Sequence, residues 1–250
     1  MRVLILSVTA GYGHHATAKA IGDMLTGKGA EVHTLDVYAY ISNLIKTTID
    51  KGYLFSSRHM QTLYRLVYQL AENNGASYFS SAPSIINIIN ALGASKFAKV
   101  LAGYSPDVIV CTHIFAAQMV DELKKRKKLD DITTIGIVTD YTLHPYWEDV
   151  PRVQYIVTAS ELLTYRCMKR GIPEERILPF GIPVHPKFNR YQSREDAAAQ
   201  LGIDPAMRTL LLMGGSMGYA DHVKILETLT RIGIPLQLLV VCGNNSKMKL

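Results

Sequence analysis

Short apolar runs alternate with turns and with stretches of helical period along this chain. Val3, Leu4, Ile5, Leu6 and Val8 form the first run, too short for a buried helix and partly β-branched, and it predicts a strand covered on both faces. Gly11 and Gly13 follow as a tight turn with room for close backbone approach. A helix is expected from about His14, with Ala16, Ala20, Ile21, Met24 and Leu25 on the face that packs back on a sheet. Glu31 to Asp36 alternates as a second strand, placed parallel to the first. Further strands are expected at Asp107 to Cys111, Ile132 to Val138, Gln154 to Val157 and Ile177 to Pro179, with helices at Phe115 to Leu123 and Glu161 to Arg170. This alternation of strand and helix predicts an α/β, Rossmann-like domain over residues 1–181.

Residues 182–193 begin on Ile182-Pro183-Val184-His185-Pro186 and read as an interdomain linker. Residues 194–250 then open a second domain. Its expected elements are a helix from Arg194 to Leu201, a strand from Thr209 to Met213, a glycine turn at Gly214-Gly215-Ser216-Met217-Gly218 and a strand from Leu236 to Val241. Two strands make a marginal sheet, so this domain is expected to be incomplete in the chain. The region from Val37 to Tyr104 is helical in period and rich in tyrosine, with Lys46, Lys51, Arg58 and Arg65 interleaved. It reads either as an amphipathic surface for a bilayer interface or as a core helix with a solvated basic rim, and its length suits a substrate lid.

Composition narrows the partners. A net charge of +6 and a pI near 9.1 favour an acidic one: nucleotide phosphates, nucleic acid or an anionic membrane surface. The run Lys124 to Lys128 closes a helix on the edge away from the glycine turn and reads as mostly a solvated helix end, which argues against a membrane or nucleic-acid role for this run. Cys111, Cys167 and Cys242 are odd in number and widely spaced, so neither disulfides nor a zinc site is expected. No signal peptide is read at Met1-Arg2, and no apolar run is long enough to span a bilayer, so a cytoplasmic protein with peripheral membrane contact is expected.

The chemistry collects where strands end. Gly11-Tyr12-Gly13-His14-His15 joins a strand's carboxyl end to a helix's amino end, where open α/β sheets bind ligands. By itself this is a weak signal, and a plain strand-to-helix turn would look alike. With Asp36 at the end of the next strand it also fits a nicotinamide dehydrogenase, but a histidine at the turn is not what a pyrophosphate needs. Thr139-Asp140 with His144 and Trp147 is a second cluster, a carboxylate and an imidazole beside the only tryptophan.

In order and spacing, four marks resemble the monogalactosyldiacylglycerol synthase and processive diacylglycerol glucosyltransferase family, of the GT-B superfamily. They are Gly11-Tyr12-Gly13-His14 with Ala16 and Ala20; Asp140 with His144 and Trp147; Gly171-Ile172-Pro173 through Gly181-Ile182-Pro183-Val184; and Gly214 to Gly218. The resemblance implies two Rossmann-like domains facing a cleft. It also implies inverting transfer of a hexose from UDP-glucose or UDP-galactose to diacylglycerol, without a metal or other cofactor, at the inner face of the cell membrane.

Inversion asks for a base on the acceptor side. His14 suits that role, kept neutral by the nearby helix amino end. Asp140 either orients that imidazole or binds the acceptor. Gly11, Gly13, His15, His144 and Trp147 are assigned to the acceptor, and Gly215, Ser216 and Gly218 to the donor diphosphate. Tyr12 replaces a glycine of the plant-type motif. Segments that carry further donor contacts in the family are absent, so the chain alone is expected to transfer sugar poorly. The alternatives are a UDP-N-acetylglucosaminyl transfer to another lipid-linked acceptor, and a truncated lipid- or nucleotide-binding module without catalysis.

Overall fold

A computed structural model describes residues 1–8, 12–37, 97–98, 101–129, 131–213, 222–231 and 233–243. The tyrosine-rich region from Val37 to Tyr104 lies for the most part outside these residues, as do Gly11 and the turn from Gly214 to Gly218. The chain divides into two units, residues 1–186 and 187–250.

The first unit is built on a six-stranded parallel sheet. Its strands are β1 (Arg2–Ser7), β2 (Glu31–Asp36), β3 (Val108–Cys111), β4 (Thr133–Ile137), β5 (Tyr155–Val157) and β6 (Ile177–Leu178), in the spatial order β2-β1-β3-β4-β5-β6. All pairings are parallel, so every carboxyl end lies on one edge. After β1 the chain moves outward to β2, then returns to place β3 on the other side of β1. The gap between the carboxyl ends of β1 and β3 is therefore the switch point of the sheet, where ligands bind in open α/β folds.

β1 is apolar on both faces because both are covered. Leu4 and Leu6 pack with Ile109, Ala116, Met119 and Val120, while Val3 and Ile5 pack with Ala18, Val110 and Ile137. Burying side chains of this size contributes about 1.5–3 kcal/mol each. The second face is supplied by α1 (Tyr12–Gly27), which begins slightly before the expected His14. Its inner face is in part the expected one, at Ala20, which is buried, and at Ile21 and Leu25. Ala16 and Met24 are exposed, and Ala18, Ile21 and Leu25 pack on the sheet, with Gly22 close to Ile5 and Val32. The small residues let helix and strand approach closely, so the contact falls on them rather than on the larger Met24.

Two further helices cross the sheet, α2 (Ile114–Lys125) and α3 (Leu162–Lys169). The cationic run after Leu123 is a helix end: Lys124 and Lys125 lie in the last turn, Arg126 is the cap and pairs with Glu122 at 2.9 Å. Gly171, at φ +80°, ends α3 with paired bonds from Gly171 N–H to Met168 O and from Ile172 N–H to Cys167 O. That left-handed position suits glycine. The second unit contains α4 (Arg194–Leu201), β7 (Thr209–Met213), α5 (His222–Thr230) and β8 (Gln237–Val241), with β7 and β8 paired in parallel.

Candidate active site at the switch point

Three adjacent strands deliver the site. β1 leads into the first turn of α1, which carries His14 and His15. β3 continues into Thr112 and His113, and β4 leads to Thr139, Asp140 and His144. Thr112 is buried and its N–H donates to the Leu6 carbonyl at 2.9 Å, so pairing between the first and third strands runs on past Cys111. That leaves the Thr112 carbonyl for His14.

Nδ1 of His14 lies 2.8 Å from the Thr112 carbonyl oxygen and 2.9 Å from Thr139 Oγ1. A carbonyl can only accept, so Nδ1 carries the proton and donates it there, and Nε2 is left with its lone pair. Burial pushes the His14 imidazole below its ordinary value; the Thr112 bond and the charge of Asp140 oppose this, and His15 adds to it. The ring is thus neutral near pH 7 with a free acceptor nitrogen, as a general base requires. The cause differs from the one expected: burial comes first, and no helix-end effect is needed.

Asp140 is exposed and acts on both His14 and His144 through its charge, favouring the protonated form of each. Among the described residues no hydrogen bond joins Asp140 to His14; the orienting partners are Thr112 and Thr139. Of the two roles left open for Asp140, orientation by a direct bond is therefore not what the geometry supports. His144 is half-buried, caps the short helix Pro145–Trp147 by accepting from Tyr146 N–H at 3.3 Å, and is shifted down mainly by burial.

Trp147 requires correction as an acceptor-binding residue. It is 4% exposed and belongs to the core, where its ring lies over Gly136 of β4. A Cβ at Gly136 would come within 2.5 Å of that ring. Trp147 therefore anchors the loop bearing Asp140 and His144 instead of lining a pocket. Arg170 fastens the same loop, pairing with Glu148 at 2.9 Å and donating to the Leu143 carbonyl at 3.4 Å.

Gly13 differs from the expected tight-turn glycine. It is helical, has no positive φ and has open space where a side chain would begin, so the turn does not depend on it. Gly11, Gly215, Ser216 and Gly218 lie outside the described residues. Two site residues went unassigned in the sequence, Thr139 as a partner of His14 and His113 as its neighbour. The position of His113, two residues past a strand's carboxyl end next to the switch point, was the available signal. Among the described residues no group of three or more His, Cys, Asp or Glu side chains is arranged to hold a metal ion.

The parallel α/β fold is shared with solved glycosyltransferase structures, among them one from Rickettsia africae with a TM-score of 0.54 at 14% identity over 99% of this chain and 62% of that one. The chain is similar in fold to Acinetobacter baumannii MurG, with a TM-score of 0.54 at 15% identity over 98% of this chain and 61% of that one. The family model for monogalactosyldiacylglycerol (MGDG) synthase matches residues 14–184, more than half of the chain, and the chain belongs to that family. It is 27% identical to a probable chloroplastic monogalactosyldiacylglycerol synthase of Glycine max, over 99% of this chain and 48% of the relative. It is 26% identical to a processive diacylglycerol β-glucosyltransferase of Bacillus pumilus, over 99% of this chain and 62% of the relative. The chain thus spans about half the length of the plant protein and less than two thirds of the bacterial one. Family membership sets aside the nicotinamide reading.

Proposed function

We propose that this protein transfers a hexose from UDP-glucose or UDP-galactose to diacylglycerol with inversion, and that His14 is the general base. The observation that carries the reading is the bond from His14 Nδ1–H to the Thr112 carbonyl, which commits Nε2 to accepting a proton. The acceptor hydroxyl gives that proton to Nε2 as its oxygen attacks the anomeric carbon. The bond from that carbon to the phosphate oxygen breaks, and its electron pair leaves with UDP. As the imidazolium forms, the negative charge of Asp140 stabilises it. We assign His15, His144, Gly11 and Gly13 to the acceptor and Gly215, Ser216 and Gly218 to the leaving diphosphate, as the family resemblance implies.

The acceptor is a lipid, so the reaction takes place at a membrane surface, and the net charge of +6 favours an anionic one such as the inner face of the cell membrane. No helix among the described residues is long and apolar enough to cross a membrane. The test is UDP release from either sugar nucleotide in vesicles with and without diacylglycerol, at two contents of anionic lipid. Diacylglycerol-dependent release, greater on the more anionic vesicles and reduced about a hundredfold or more in His14→Ala, is the expected result. Release without diacylglycerol, or full activity in His14→Ala, would overturn the reading.

A further inference from the structure

Beside the proposed base stands a second imidazole for which the reaction has no use. His113 is the N-cap of α2: its backbone is extended at φ −142° and ψ 146°, and its Nδ1 accepts from Phe115 N–H at 3.1 Å. A cap needs only a short acceptor, for which Ser, Thr, Asp or Asn serves. The ring's other contacts explain the larger side chain. It meets His14 edge to face, with centroids 4.5 Å apart and planes at 82°, and it meets Phe115 at 4.9 Å and 62°.

The cap bond fixes this ring. Its Nδ1 must keep a lone pair for the Phe115 N–H, so its proton resides on Nε2, and the ring cannot turn without losing the bond. The bonds of His14 act on one atom, Nδ1, and leave the far side of its ring without a polar restraint among them. The fixed His113 ring, in edge-to-face contact, adds a second restraint there.

We propose that His113 is a positioning residue, whose capped ring sets the plane of the His14 imidazole and keeps water from that side, so that Nε2 points to a single place. The catalytic consequence rests on His14 being the base; the geometry does not. Thr112 and His113 face His14 from the turn after β3, Thr139 and Asp140 from the loop after β4, and His15 from its own helix, while His144 acts on His113. Burial pushes His113 down to about 3, so this neighbour stays uncharged over the working range.

Two variants separate the cap from the ring. His113→Asn keeps an acceptor for the cap and removes the ring; His113→Phe keeps a ring and removes the acceptor. Imidazole nitrogen NMR of the whole chain reads the tautomer and titration of His14 in each, without any turnover. In His113→Asn the His14 midpoint is expected to rise by about half a pH unit or more as water enters, while the tautomer, set by the Thr112 carbonyl, is kept. In His113→Phe the midpoint should rise less, because a ring still shields that side of His14 but is no longer fixed, while the melting temperature falls by a few degrees from the lost cap. In the UDP-release assay, His113→Asn should lower kcat about tenfold with KM unchanged. A His14 midpoint that His113→Asn leaves unchanged, or that both variants alter equally, would overturn the positioning role. The expected NMR result with UDP release undiminished in His14→Ala would count instead against His14 as the base.

Discussion

At the scale of single residues, the site depends on which nitrogen of His14 holds the proton. The Thr112 carbonyl decides this, and no substitution removes a backbone carbonyl, but the second contact of Nδ1 can be deleted. Thr139→Val should keep the tautomer, because Thr112 still accepts, and lower kcat by only about two- to fivefold, within the range of one lost neutral hydrogen bond. Imidazole NMR and steady-state UDP release check this together; a tautomer switch would contradict it. Asp140→Asn bears on charge. Asp140 raises the proton affinity of His14, so its removal should move the His14 midpoint to lower pH, seen directly by NMR titration. His14 was legible in the sequence because it stands where a strand ends and a helix begins. Thr139 was not, because its role comes from a contact across two neighbouring strands that no local spacing encodes.

Among elements, the loop after β4 is the most demanding. It holds its shape because Trp147 is seated on Gly136 and Arg170 pairs with Glu148. Gly136 pairs with Cys111 on one side and Ile156 on the other, so β4 cannot move aside for an added methyl. Gly136→Ala should destabilise the protein by about 1–3 kcal/mol through overpacking. Trp147→Ala, which leaves a cavity, should cost about 3–5 kcal/mol. Urea unfolding measures both, and unchanged midpoints would show that the ring does not anchor the loop. The only tryptophan beside an acid and a histidine reads naturally as a binding residue in sequence. Whether such a ring faces a pocket or the core depends on the strand beneath it, and there the signal was one glycine inside an apolar run. The strands were legible to within a residue or two because they are short apolar runs in a buried parallel sheet, and the inner face of α1 was legible at Ala20, Ile21 and Leu25 but not at Ala16 and Met24, because small residues carried the packing.

For the whole molecule, stability and activity both depend on keeping imidazoles neutral. His113 is pushed down to about 3 in the folded protein, against an ordinary value near 6.5 in the unfolded chain. Between those values the unfolded chain binds a proton that the folded one does not, so stability falls on acidification, by up to about 1.4 kcal/mol per pH unit. His14 and His144, also shifted down, act in the same direction; Glu148 and Asp149, shifted up by burial, act in the opposite one. Thermal unfolding at pH 7 and pH 5 should therefore show a smaller loss for His113→Asn than for the parent, and equal losses would refute this coupling. The fold class was legible from the order of elements alone, while the pairing across the switch point needed the return of β3 beside β1, which the chain makes only after a long excursion.

The most direct test of His14 as the base is the pH dependence of kcat/KM for diacylglycerol-dependent UDP release, in the parent and in Asp140→Asn. The predicted profile rises with pH along one acid limb, its midpoint below the ordinary imidazole value of about 6.5, and this limb moves to lower pH in Asp140→Asn. A midpoint at or above that value, or a limb that Asp140→Asn leaves in place, would contradict a buried, Asp140-coupled His14 as the proton acceptor.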